Sequence, residues 1–465
     1  MNRADPLLLG EDMTAQLARL DRGKLGCVEL LEHQLAAIAA SQSTLNAYLA
    51  VDESGTRTAA ADSDARRKAG NARPLEGVPI AIKDNLDVAG MVTTAGMATR
   101  RDSAPARTDS TAVARLRQAG AVIVGKLNMH EAAAGADNNN PHFGACHNPH
   151  RHGFTPGGSS GGSGAAVAAG LCSAALGTDS MGSVRIPASY CGVVGLKPSW
   201  GAISTRGSVA LSHRLDHVGP LARSARDLRR LLPVLAGFDA ASAQSRAITL
   251  TPASTGPLRL GVVDFGKAID YADGVFSEFA RALEVLKGLG HRRIDLPAPE
   301  LIPGHLRRAG LLLCEAEMLV EHRHDWQNRR NDFSPILTSL MSYAEGKSAS
   351  DLVDATRLLD QGQVQLQQWL ASCDVLVMPT TPQRAFAFDD TVHVNQSDLT
   401  GYANFAGNPA LSVPMPVAEG ELPVGLQLIG RIGDELRLIA LAEAFQYATR
   451  WSPQVPPTCY AWWPQ

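Results

Sequence analysis

The stretch TPGGSSGGSGAAVAAGLCSAALGTDSMGSVRIPASYCG, from Thr155 to Gly192, limits what this chain can fold into more than any other part of it. It is built mostly of glycine, serine and alanine, and three readings compete. A flexible linker should sit between polar segments, yet this run leads straight into apolar AAVAAG and CSAALG. A phosphate cradle of the GxxxxGK[ST] kind needs a lysine that is absent, and GGSSGGSG is a poor dinucleotide fingerprint. The third reading is a catalytic wall, because glycines let backbone N–H groups approach a substrate closely and serines offer hydroxyls. The run alone leaves all three open.

A lysine upstream bears on the choice. Lys83 ends the apolar run VPIAIK and would be costly to bury as a cation, so desolvation should lower its pKa. A neutral lysine near pH 7 is a general base. The plainer alternative is a strand-end lysine whose stem packs and whose ammonium reaches water.

The rest of the chain alternates helical and strand-like patterns. Residues 12–40 and 57–70 read as surface helices, and Gly77–Gly90 begins as a strand that breaks at Asp84-Asn85. Asp109–Lys126 reads as a helix capped by Ser110 or Thr111, a turn at Gly120 and the strand AVIVG. Helical spacing returns after Ser224, at Phe276–Gly290, over 304–372 and at Glu435–Thr449. LRLGVVD, DVLVMP (Asp374–Pro379) and VGLQLIG (Val424–Gly430) read as buried strands, and polar residues 240–257 as a surface linker. The expectation is an α/β chain, layered α/β/α around one large mixed sheet.

Bulk properties exclude some classes. A net charge of −3 with no basic block argues against nucleic-acid binding as the main task. MNRADPLLLGEDM holds only a three-leucine run, too short for a signal-peptide core, and no stretch approaches a membrane span. Seven cysteines with no CxxC pair suggest a reduced, cytoplasmic setting.

Lys83, then GGSSGGSG, then GTDSMGSVRIP, in that order, resembles the amidase signature family. Ser159 lies 24 positions before Ser183, which matches the family's separation between bridging serine and nucleophile. LEGVPIAIKDN, TTAG (Thr93–Gly96), GKLNMHE (Gly125–Glu131), FGACHNP, CGVVGLKPSWG (Cys191–Gly201), GNPALSVP and LPVGLQLIG add to the resemblance, which runs over roughly 15–450. It implies one domain over 1–465, with helices over 1–70 packed on a signature core at 75–220, and 258–465 completing the domain. It makes Ser183 the nucleophile, Ser159 a proton bridge after a cis peptide bond, and Lys83 the base. A hydroxyl relay to a neutral lysine would activate an otherwise weak serine. The backbone N–H groups of Ser180, Met181, Gly182 and Ser183 match the oxyanion hole, and the Ala133 carbonyl matches a position facing the bound amide. No cofactor or metal is implied.

Several residues stand outside this pattern. Met181 replaces the family's usual glycine; it is strained if that position needs positive φ, and otherwise only reshapes the pocket. His142, His147, His150, His152 and Cys146 crowd one loop without a standard zinc spacing, and read as solvated loop residues. Asp179 and Arg185 read as buttresses of the nucleophile loop, Ser160 as a relay neighbour, and Cys191 as a small buried hydrophobe. Met318, His322 and Trp326 share a helical face that reads as core before pocket.

The resemblance implies a small-molecule amide substrate, no nucleic acid and no membrane, and it leaves dimerisation open. Its main functional implication is amide hydrolysis, R-CO-NH₂ to acid and ammonia. The alternative is the glutaminase subunit of a tRNA-dependent amidotransferase. Such a subunit carries tyrosine-rich middle segments and an arginine for the glutamine α-carboxylate, whereas residues 301–350 hold one tyrosine, Tyr343.

Overall fold

Alternation of side chains along short strands builds the architecture. The computed structural model describes residues 5–253 and 256–462. Eleven strands form one sheet: β1 (Tyr48–Val51), β2 (Pro79–Lys83), β3 (Val122–Leu127), β4 (Ala174–Asp179), β5 (Val194–Lys197), β6 (His217–Ala222), β7 (Arg259–Val263), β8 (Arg292–Leu296), β9 (Val375–Pro379), β10 (Ala410–Pro414) and β11 (Gly425–Ile429). Their order is β1-β3-β2-β4-β6-β5-β10-β11-β9-β7-β8. β2 pairs in parallel with β3 and β4, and β7 with β8 and β9, while the pairs from β4 through β6, β5, β10 and β11 to β9 are antiparallel.

Apart from the edge strands β1 and β8, the strands are covered on both faces and are mostly apolar on both sides. Ile80, Ile82, Leu176, Val377, Leu411 and Leu428 enter one core with the helices Ala225–Leu235, Val275–Gly288 and Glu435–Ala448. The intervening Ala81 and Ala175 face the helices Cys27–Leu45 and Gly161–Ala168. Leu376, Met378 and Ile429 face the helices Pro303–Glu321, Pro335–Glu345 and Ala349–Ser372. This is the expected α/β/α arrangement around a large mixed sheet, and strands from both ends of the chain share it.

The boundaries differ in places. The helical pattern over 12–40 divides into Met13–Asp21 and Cys27–Leu45. The second helix starts where Asp64 accepts the N–H groups of Cys27 and Val28, a contact across the fold. Ser224 and Asp227 form a capping box at Ala225–Leu235. The 304–372 region folds as four helices, adding Arg323–Asn328 to the three above. Residues 240–253 lack regular structure but are tied down, Arg246 N–H donating to Gly201 O at 2.9 Å and Thr251 N–H to Gly433 O at 2.7 Å. Residues 254 and 255 of the expected linker lie outside the described residues, as do 1–4 and 463–465. Among the described residues, no helix is long and apolar enough to cross a membrane.

Candidate active site

The parallel pair β2–β4 brings its two strand ends together. Lys83 closes β2, and Thr178 and Asp179 close β4. Ser159 precedes the helix Gly161–Ala168, and the peptide bond Gly158–Ser159 is cis. Lys83 Nζ lies 2.7 Å from Ser159 Oγ and 2.8 Å from Thr178 Oγ1. Lys83 and Ser159 are fully buried. Desolvation lowers the lysine to about 7, against the opposing charges of Asp216 and Asp179. The strand-end lysine is therefore not reaching for water; it is a buried amine poised near neutrality. Asn85 Nδ2 donates to Thr178 Oγ1 at 3.1 Å, orienting the second contact of that amine.

Ser183 sits on the turn after β4 and is half-buried, so it is the reachable member of the set. Its carbonyl accepts the Ser160 N–H at 3.3 Å, which joins this turn to the serine doublet. The Ser183 hydroxyl makes no hydrogen bond within the protein among the described residues, so the structure joins Lys83 to Ser159 but not Ser159 to Ser183. Bonds of this kind often close only when substrate arrives. Ser160 Oγ donates to Thr178 O at 3.1 Å, anchoring the doublet to β4.

Asp179 holds the turn from inside. Its carboxylate accepts N–H groups from Gly182 at 2.7 Å and Val184 at 3.1 Å, and two bonds from Arg185 at 2.9 and 3.0 Å. Burial alone would raise this carboxyl, but the Arg185 guanidinium, helped by Lys197 and Asn404, holds it well below the usual range. Arg185 is itself sealed, donating to Thr400 O, Gln427 Oε1 and Asn404 Oδ1. Both residues are thus buttresses, as their sequence positions suggest.

This network alters the expected oxyanion hole. The Gly182 N–H is already committed to Asp179, whereas those of Ser180, Met181 and Ser183 meet no protein acceptor among the described residues. The left-handed conformation in this turn falls on Gly182, φ 135°, and not on Met181. Methionine here is therefore unstrained. Its carbonyl accepts the Thr400 hydroxyl at 2.6 Å, and its sulfur packs on Gly310, where an added Cβ would lie 2.6 Å away.

Ala132 and Ala133 have φ 50° and 60°, and Ala95, whose carbonyl accepts the Ala132 N–H, has φ 52°. Each such residue costs on the order of 1–3 kcal/mol, and such strain gathers at functional sites. Ala133 belongs to the same buried apolar cluster as Met181.

The histidine-rich loop is only in part the solvated segment its composition suggests: His152 is exposed, while His142, His147 and His150 are half-buried. His142 Nε2 lies 2.7 Å from Glu131 Oε1, His150 Nε2 3.0 Å from Cys191 O, and His152 Nδ1 3.1 Å from Thr44 O. His147 stacks on His152 at 4.1 Å. Each ring finds its own partner because the loop folds back over three different segments. Among the described residues, no group of three or more His, Cys, Asp or Glu could hold a metal ion. Cys191 is buried with its thiol pushed well above its ordinary range by burial, and Met318, His322 and Trp326 are core.

The family model for Amidase matches residues 29–439. The chain belongs to the Amidase family. Relatives of this amidase include an A-type glutamyl-tRNA(Gln) amidotransferase subunit from Roseiflexus castenholzii, 38% identical with 94% of this chain and 95% of that one covered. A solved chain from a vestigial protein complex, one that reveals the origins of an s-triazine catabolic enzyme, superposes with TM-score 0.88 at 31% identity, covering 96% of this chain and 100% of that one. A 6-aminohexanoate cyclic dimer hydrolase complexed with substrate gives TM-score 0.86 at 27% identity, covering 97% and 99%.

Thr178, Asn85, Thr400, Asn404 and Asp216 were not singled out by sequence. Thr178 and Asn85 flank residues that were, so adjacency was a usable signal. Thr400 and Asn404 lie more than two hundred residues from the turn they support, and no local pattern marks them.

Proposed function

We propose that this amidase hydrolyses a carboxamide through an acyl-enzyme on Ser183. The observation that carries this reading is the buried Lys83–Ser159 contact at 2.7 Å beneath an accessible serine. Lys83, neutral at its lowered pKa, takes the Ser159 proton as Ser159 takes that of Ser183, and Ser183 Oγ attacks the carbonyl carbon. The N–H groups of Met181 and Ser183, with that of Ser180 beside them, receive the developing oxyanion, each such donor contributing about 3 kcal/mol. The relay then returns a proton to the leaving nitrogen, and ammonia departs. In this reading the Ala133 carbonyl accepts from the amide nitrogen. Water, deprotonated by the same relay, releases the acid. Nucleophile, bridge and base are all side chains of this chain.

The acyl side of the site favours an uncharged group. Met181, Ala132 and Ala133 share one apolar cluster with Met97, Met129 and Leu306. The nearby arginines of the helix Pro303–Glu321 are occupied, Arg307 by Asp398 at 2.7 Å and Arg308 by Glu315.

The second reading is a glutaminase subunit that passes ammonia to a partner. The names of the sequence relatives favour it over free-standing hydrolysis, since those at 36–38% identity are glutamyl-tRNA(Gln) amidotransferase subunits. The occupied arginines favour hydrolysis, because glutamine brings a carboxylate that needs a cation. A panel of arylacetamides, aliphatic amides, urea derivatives and glutamine, assayed for released ammonia, decides between them. Turnover of uncharged amides with glutamine inert supports hydrolysis; glutamine as the best substrate replaces it with the second reading.

A further inference from the structure

The segment 209–216 touches both halves of the catalytic apparatus. At one end the Val209 N–H donates to Asn85 O at 2.8 Å, and Asn85 Nδ2 returns a bond to Val209 O at 3.3 Å. Asn85 is the residue that orients Thr178 against the Lys83 amine. At the other end Asp216 accepts the Ser180 hydroxyl at 2.5 Å through Oδ1 and the Leu211 N–H at 2.9 Å through Oδ2. Between them, the Ser212 hydroxyl and the His213 N–H donate to Glu317 of the helix Pro303–Glu321.

We propose that Asp216 is a positioning residue for catalysis, clamping Ser180 so that the segment 209–216 braces the oxyanion turn against the end of the base-bearing strand β2. Both carboxylate oxygens are used, and the residue is buried. Ser180 begins the turn that carries Met181, Gly182 and Ser183, so loosening its side chain lets the uncommitted N–H donors of Met181 and Ser183 drift from the carbonyl oxygen. Displacements of about 1 Å in such a site cost on the order of a hundredfold in rate.

Asp216 also acts on the base. Its charge raises the Lys83 pKa, opposing desolvation. Asp216 itself is raised to about 6 by burial, offset by the bonds from Ser180 and Leu211, with Glu317 adding to the rise. The groups facing it are Lys83, Ser180, Glu317 and the buried thiol of Cys314. Removing the Asp216 charge therefore lowers Lys83 further, and the acid limb of kcat/KM moves to lower pH.

The inference rests on Ser183 as nucleophile, so Ser183→Ala is measured beside Ser180→Ala and Asp216→Asn. The first two outcomes expected are losses on the order of tenfold to a hundredfold in kcat for each of Ser180→Ala and Asp216→Asn, with KM little changed, and a double variant no worse than the worse single one. The third is an acid limb shifted to lower pH in Asp216→Asn, and shifted the same way by less in Ser180→Ala, which removes a bond that holds the Asp216 pKa down. Losses that multiply, a rate within about twofold of wild type in Ser180→Ala, or an unmoved acid limb in Asp216→Asn would overturn the proposal. Ser180→Ala keeps the buried carboxylate, so it gives the answer even where Asp216→Asn folds poorly. If Ser183→Ala still turns over, the nucleophile reading itself falls; if it is inactive while Ser180→Ala is normal, only the role of Asp216 does.

Discussion

Lys83 Nζ and Ser159 Oγ stand 2.7 Å apart with no water-accessible surface on either residue. A charged ammonium there would lack the compensation that water gives it, and the two hydroxyls within reach carry no formal charge. The amine therefore releases its proton near neutrality, which is the state a base requires.

Ser183→Ala should abolish turnover, while Lys83→Ala and Ser159→Ala should each lose several orders of magnitude in kcat. Because the two act on one proton path, the Lys83/Ser159 double variant should be little worse than the worse single variant. Fully additive losses in steady-state kinetics would show that they do not share a path.

The activity should rise with pH through about 7, the value to which desolvation brings Lys83. Below it the lysine is protonated and cannot accept from Ser159. A kcat/KM profile flat from about pH 5 to 9 would remove Lys83 as the base.

The same shift links to stability. The folded-state pKa of Lys83 lies below its unfolded value of 10.5, so between about 7 and 10.5 the unfolded chain binds the extra proton. Wild type should therefore gain stability relative to Lys83→Met as pH rises through that window. Equal pH slopes of Tm for the two proteins would contradict a buried neutral lysine.

Met181 should tune substrate choice through its side chain, since the turn places no strain on it. Met181→Gly should stay active, admit bulkier amides, and lose stability by about 2–5 kcal/mol as a packed thioether is removed. Gly310→Ala should push the sulfur toward the pocket and favour slimmer amides. Unchanged relative kcat/KM for a small and a bulky amide in both variants would end the pocket reading.

Arg185→Met should destabilise the protein by about 3–5 kcal/mol, because it leaves the buried Asp179 carboxylate without its cation. Urea denaturation measures this. A loss below about 1 kcal/mol would mean that Asn404 and the turn N–H groups satisfy Asp179 unaided.

The sequence by itself determined the layered α/β class, the family resemblance, and the three residues offered for the relay. It could do so because short apolar runs, glycine-rich turns and the order Lys83, Ser159, Ser183 are written directly in the chain. It also placed Asp179 and Arg185 as buttresses, since they lie within the same short turn. Only the tertiary structure decided what those residues meet. It committed the Gly182 N–H to Asp179, moved the positive φ off Met181, and folded the histidine loop onto separate partners. It also brought Thr400, Asn404 and Asp216 to the turn after β4, from segments distant in the chain. The physical reason is that a buried polar group takes whatever partner the packed sheet and helices bring within hydrogen-bonding distance, and that proximity is a property of the whole fold.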